Sequence, residues 1–104
     1  METRIGYVTH YYNRIGVAVL SLTRELKIND TVHISGRITD FYQKVWSMEI
    51  EHHQVQSVGP QAEVALKVAG PVRKGDKIFL LEKVTPEESK DILIHQQTEW
   101  EGHL

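Results

Sequence analysis

The sequence predicts a mainly β fold: a closed antiparallel β-barrel of about six strands with an added C-terminal helix. Three observations predict it. Residues 25–34 and 72–80 each run through an apolar residue, a basic residue, Asn29 or Gly75, then Asp30 or Asp76, and on into β-rich sequence. Asn and Gly enter the left-handed region at low cost, and the Asp that follows can hydrogen-bond the backbone ahead. Each stretch therefore reads as a tight turn that launches a strand. Second, Val64, Leu66 and Val68 alternate with polar or small residues, as do Val32 and Ile34 with His33 and Ser35. Period-two alternation is the mark of a half-buried strand. Third, Thr85-Pro86-Glu87-Glu88 offers a capping hydroxyl, a proline at the first helical position and a glutamate three residues past the cap, a helix-start signature.

In chain order, residues 4–12 form the first strand, with Gly6 marking a bulge or a close backbone approach. Residues 15–22 resume the apolar run after Asn13 and Arg14 and complete a hairpin. The first Asp turn launches residues 31–36, whose Val32 and Ile34 point inward and His33 outward. Residues 37–41 read as a polar loop around a turn. Residues 41–50 divide their apolar side chains between two faces, and a bulge near Ser47 would bring Met48 and Ile50 onto the face of Val45. A polar segment follows, with Val55 and Val58 as its anchors and Gly59-Pro60 as its closing turn. Residues 63–68, the second Asp turn and residues 77–81 complete the barrel. A helix is expected over residues 86–97. Residues 1–84 thus form the barrel and residues 85–104 the helix and tail of the same domain.

Composition bounds the function. The chain has 104 residues, 40% hydrophobic and 25% charged, ordinary values for one globular domain. Its apolar runs are too short to span a bilayer, no signal-peptide pattern opens it, and it has no cysteine, so the cytosol is the expected compartment. Residues 1–81 carry ten basic and eight acidic side chains, net +2, and residues 82–104 carry two and six, net −4. A faintly basic body falls short of the footprint of a strong nucleic-acid binder.

Taken in order, Gly6-Tyr7-Val8, Gly16-Val17-Ala18-Val19, residues 26–32, residues 36–41, residues 45–50 and Val72-Arg73-Lys74-Gly75-Asp76 resemble the second domain of translational GTPases of the elongation factor Tu type. The likeness covers about residues 4–82. Asn29 stands where that family has Gly, Gly59-Pro60-Gln61 stands where it has a Gly-Asp pair, and no P-loop occurs. The resemblance implies a free-standing copy of that barrel, without a GTPase domain and with no nucleotide triphosphate expected. It further implies contact with RNA, tRNA or a ribosomal component, with Glu49 at the position that helps hold the terminal adenosine. Barrels similar to it also occur as accessory domains on unrelated enzymes, including collagenase-like peptidases.

The residues themselves supply no catalytic constellation. Six histidines lack metal-ligand spacing, since adjacent His52 and His53 would face opposite ways on a strand. Glu49 and Glu51 pair without a nucleophile or cofactor motif beside them. No cofactor, metal or membrane contact is expected. Aromatic and basic groups on the early strands and on the loop before the fourth could stack and pair with single-stranded nucleic acid. The sequence reading is a non-catalytic binding module that contacts RNA or translation machinery through Arg37, Phe41, Tyr42, Lys44 and Glu49. The alternative is a protein-interaction module that docks on a larger enzyme.

Overall fold

The structure, a computed structural model, describes residues 1–82. Ten strands and no helix occur among them: β1 (Glu2–Tyr12), β2 (Val17–Leu22), β3 (Leu26–Lys27), β4 (Thr31–Ser35), β5 (Asp40–Lys44), β6 (Met48–Ile50), β7 (His53–Gln54), β8 (Ser57–Val58), β9 (Glu63–Lys67) and β10 (Lys77–Leu81). Eight form one sheet in the order β5-β4-β10-β1-β2-β9-β6-β7, and β3 pairs separately with β8. The expected helix over residues 86–97, with the tail to residue 104, lies outside the described residues. Among the described residues no helix is long and apolar enough to cross a membrane.

Both Asp turns form, and they share one bonding scheme. Asn29 takes φ 77° and Gly75 φ 93°, each at the third position of a turn closed by Asp30 N–H to Lys27 C=O and Asp76 N–H to Arg73 C=O. Positive φ at that position is what a type II turn demands. The Asp carboxylates bond backward and not ahead: Oδ2 of Asp30 accepts from Lys27 N–H at 2.9 Å and Oδ2 of Asp76 from Arg73 N–H at 2.8 Å. Each turn then clasps a buried valine. Asn29 and Gly75 donate to the carbonyls of Val45 and Val8, while Asp30 and Asp76 accept from the same two valines, all at 2.8 Å. The strands that follow, β4 and β10, pair with each other.

One inward face carries the core. Ile5, Val8, Leu20, Ile34, Leu66 and Ile78 are fully buried, each on a strand whose alternate residues face out. The β1 ladder shifts register between Arg4 and Gly6 and again between Val8 and His10, so this long strand bends enough to serve both β10 and β2. At Gly6 any Cβ would overlap the backbone carbonyl of Ser21.

The expected closed barrel does not form. β5 and β7 are the two ends of the main sheet, and no strand pairing joins β5 to β6 or β7. The reason is the path of residues 40–50. β5 pairs with β4, the chain leaves the ladder at residues 45–47, and it re-enters as β6 against β9. A strand that changes partners must bend at the exchange. The bend places Val45 and Met48 together in the core, which is the effect expected of a bulge near Ser47.

Gln43 spans the resulting seam. It is 7% exposed; its Oε1 accepts from Ala69 N–H at 2.7 Å and its Nε2 donates to Lys67 C=O at 2.9 Å. An amide side chain on β5 thereby replaces the backbone ladder that β5 and the end of β9 lack. The start of β1 also meets the end of β10: Glu82 N–H donates to Met1 C=O at 2.9 Å, and Thr3 Oγ1 donates to Glu82 Oε1 at 2.8 Å.

Gln43→Met keeps the side-chain length and removes both hydrogen-bonding groups. Leaving Ala69 N–H and Lys67 C=O unpaired should lower the unfolding free energy by about 1–3 kcal/mol. Urea denaturation reads this directly, and an unchanged midpoint would show that the seam closes without the amide.

Candidate functional site

Outward-facing side chains of β2, β9 and β6 build the first candidate. Because Val17, Val19 and Ala65 point out while Ala18, Leu20, Val64 and Leu66 are buried, this part of the sheet is apolar on both faces. Beside it rise the β1–β2 turn, with Tyr12 and Ile15, and the segment through Trp46 and β6–β7. Together they line an open groove of about 970 Å³, with Tyr12, Ile15 and Trp46 respectively 52%, 59% and 49% exposed. Exposed large apolar side chains converging on one concavity mark a contact surface.

The walls of the groove are fixed. Lys67 Nζ donates to Ile15 C=O at 2.7 Å and ties β9 to the β1–β2 turn. Opposite, the β6–β7 hairpin reverses at Glu51 and His52, with φ 50° and 67°. Two successive positive φ angles make the primed turn that suits a two-residue hairpin, here held by residues other than Gly or Asn at about 1–2 kcal/mol each. Glu49, Glu51, His52 and Gln54 give this wall its polar groups. The groove can grip an apolar segment and bond its flanks; among the described residues no hydrogen bond joins its Ser47 hydroxyl to His52, Glu49 or Glu51.

The second cluster lies on the outer face of β4 and β5. His33 is opposite Tyr42 in the ladder, and their rings stack at 4.2 Å and 11°. Both ring nitrogens of His33 meet carboxylates: Nδ1 is 2.7 Å from Glu2 Oε1 and Nε2 is 2.5 Å from Asp40 Oδ1. Tyr42 donates its hydroxyl to Glu2 Oε2 at 2.6 Å. Ionised carboxylates only accept, so the two bonds together require the doubly protonated imidazolium. Hydrogen bonds to Glu2 and then Asp40 raise the His33 pKa. Those from Tyr42 and then His33 lower that of Glu2, and the bond to Glu2 raises that of Tyr42. With its acid and base groups spent on one another, the cluster acts as a clasp between the start of β1 and the β4–β5 edge.

The five residues expected to share a binding face do not come together. Arg37 lies in the turn between β4 and β5 and lines a separate cleft. Phe41 packs half-buried against the core. Tyr42 belongs to the clasp, Lys44 is exposed on the same face of β5, and Glu49 lines the groove. Among the described residues no group of three His, Cys, Asp or Glu is placed to hold a metal ion. Sequence reasoning missed Trp46, Tyr12 and Ile15 as one surface. The available signal was residues 15–20, a run with apolar side chains on both strand faces.

No family model matches the chain. An uncharacterized protease of Methanocaldococcus jannaschii is 36% identical over 83 residues, which make up 79% of this chain and 20% of that protein. The chain thus spans a fifth of the length of the curated relative it matches. Two crystal structures of the C-terminal domain of a putative U32 peptidase from Geobacillus thermoleovorans superimpose with TM-scores of 0.70 and 0.69, at 21% and 22% identity. They cover 75% and 73% of this chain and 91% and 96% of theirs. These matches correct the resemblance to translational GTPases of the elongation factor Tu type: the proteins matched carry the names of a protease and of a peptidase's C-terminal domain, not of translation factors. The shared pattern consisted of turn and strand signals, which any fold built on two such Asp turns needs. The ground that this resemblance gave for contact with RNA or translation machinery falls with it.

The clasp makes stability depend on pH. A raised His33 pKa contributes stability that is complete below the ordinary histidine value and lost as pH rises through the raised one; a lowered Glu2 pKa contributes stability that is complete above the ordinary glutamate value and lost as pH falls through the lowered one. The melting-temperature difference between the wild type and His33→Gln should therefore be greatest between pH 4.5 and 6.5 and shrink on either side. A difference that is flat across pH would show that His33 carries no charge in the clasp.

Proposed function

We propose that the chain is a non-catalytic accessory module of a U32-peptidase-type protein, docking through the groove between the β1–β2 turn and the β6–β7 hairpin. The observation that carries this reading is the 36% identity to one fifth of a much longer protease. A segment of that proportion is one part of a larger machine, and the peptidase match in solved structures is to a C-terminal domain.

The chemistry of the groove supports the same role. Protein contact surfaces combine aromatic anchors, excluded water and a polar rim, and Trp46 and Tyr12 with Glu49, Glu51, His52 and Gln54 supply such a set. Peptide-bond hydrolysis needs a nucleophile or an activated water beside a base and an oxyanion-stabilising group. In the clasp the acid and base groups are bonded to one another, and in the groove, among the described residues, Ser47 makes no hydrogen bond to His52, Glu49 or Glu51, which supports the non-catalytic reading. Of the residues singled out in the sequence, Glu49 has a place in this contact, as a rim acceptor.

Mixed with a U32-type peptidase deprived of its own C-terminal domain, the chain should form a one-to-one complex on size-exclusion chromatography with light scattering. Trp46→Ala should weaken that complex at least tenfold, about 1.4 kcal/mol. A complex that survives nuclease and fails with Trp46→Ala supports the reading. Failure to associate, or peptide hydrolysis by the chain alone, overturns it.

A further inference from the structure

A second concavity, away from the groove, gathers positive charge. The turn between β4 and β5 contributes Arg37 and Ile38, the loop that launches β10 contributes Arg73 and Lys74, and β10 itself contributes Lys77; together they line an open cleft of about 820 Å³. The two walls are neighbours because β4 and β10 pair, with Lys77 opposite Ser35. All four cations are exposed. Among the described residues none of their charged heads has a carboxylate within 4.0 Å or makes a side-chain hydrogen bond. The one acidic residue of the cleft, Asp76, is 6% exposed and gives Oδ2 to Arg73 N–H at 2.8 Å.

We infer that this cleft binds an extended acidic peptide segment. Four like charges around one depression repel each other, and an anion that enters removes that repulsion while gaining attraction to each. Their backbones are already positioned: the Asp76 turn is closed on itself and clasped to Val8, so little order is lost on binding. Two guanidinium groups match carboxylates in a two-bond geometry. Ile38, 70% exposed at the rim, gives an apolar seat that a mixed acidic and aliphatic segment would fill. Nucleic acid suits the cleft less well, because among the described residues no aromatic side chain lines it and unpaired bases need stacking platforms. An open cleft of this size favours a chain that runs through it over a small enclosed anion.

The inference is independent of the groove and of the protein on which the module docks. Fluorescence anisotropy of a labelled Glu- and Leu-containing peptide, titrated with the full chain, tests it. Saturable binding at low salt is expected, weakened about tenfold at physiological ionic strength as screening grows. Arg37→Glu with Lys74→Glu should abolish it, while Arg24→Glu, an equal charge change per residue at another exposed site, should leave it within about twofold. No binding at low salt overturns the inference, as does equal weakening by Arg24→Glu, which would mean attraction to overall charge. Tighter binding of a single-stranded oligonucleotide of the same charge would overturn the peptide assignment.

Discussion

Two backbone clasps hold this fold in register. Asn29 and Gly75 each sit at positive φ, each is followed by an Asp, and each pair exchanges two hydrogen bonds with a buried valine, Val45 in one case and Val8 in the other. The Val45 clasp fixes the point at which β5 ends and the chain crosses to β9. The Val8 clasp fixes the point at which β1 passes from its partnership with β10 to that with β2. The positions of both concavities follow from these two points. The groove exists because residues 45–47 leave the ladder, and the cationic cleft exists because the Gly75 turn brings Arg73, Lys74 and Lys77 beside Arg37. A left-handed residue is needed at both corners, and the chain uses the two residue types that enter that region most readily.

Much of this was legible in the sequence, and what was not has a physical reason. The alternation at Val64 and Leu66, the apolar β10 run and the two Asp turns gave strands at close to their observed bounds, because one buried face imposes period two on residue type. β3 and β8 are two residues each, too short to show a period. The reversal at Glu51 and His52 uses residue types with no special preference for positive φ, so only the surrounding pairing forces it. The clasp of Glu2, His33, Asp40 and Tyr42 joins side chains up to 40 positions apart. His33 was readable as outward-facing, but nothing local announces its partners. Gln43 lies in a run whose two faces are equally mixed, and its role depends on a seam with Lys67 and Ala69, 24 and 26 positions on.

The resemblance to a translation-factor barrel is instructive for the same reason. Its two turn motifs hold as geometry, since both Asp turns form, while the closed barrel that it implied does not. Geometry of this kind belongs to a way of folding and not to a biochemical role. The groove and the cleft, where a role would reside, are built from Tyr12, Ile15, Trp46, Arg37 and Lys74, and their arrangement depends on which loops approach each other in space. The two concavities share no lining residue. One is apolar with a mixed rim, the other cationic, so the two differ in the chemistry they present.

The hydrogen bond from Glu82 to Met1 and the one from Thr3 to Glu82 place the way in and the way out of the sheet side by side. A unit with adjoining ends can be spliced into a host polypeptide as a loop is, without prying apart the host's own structure. It can equally hang from one end like a pendant. The stitched doorway thus gives the fold a portability that depends on neither the groove nor the cleft.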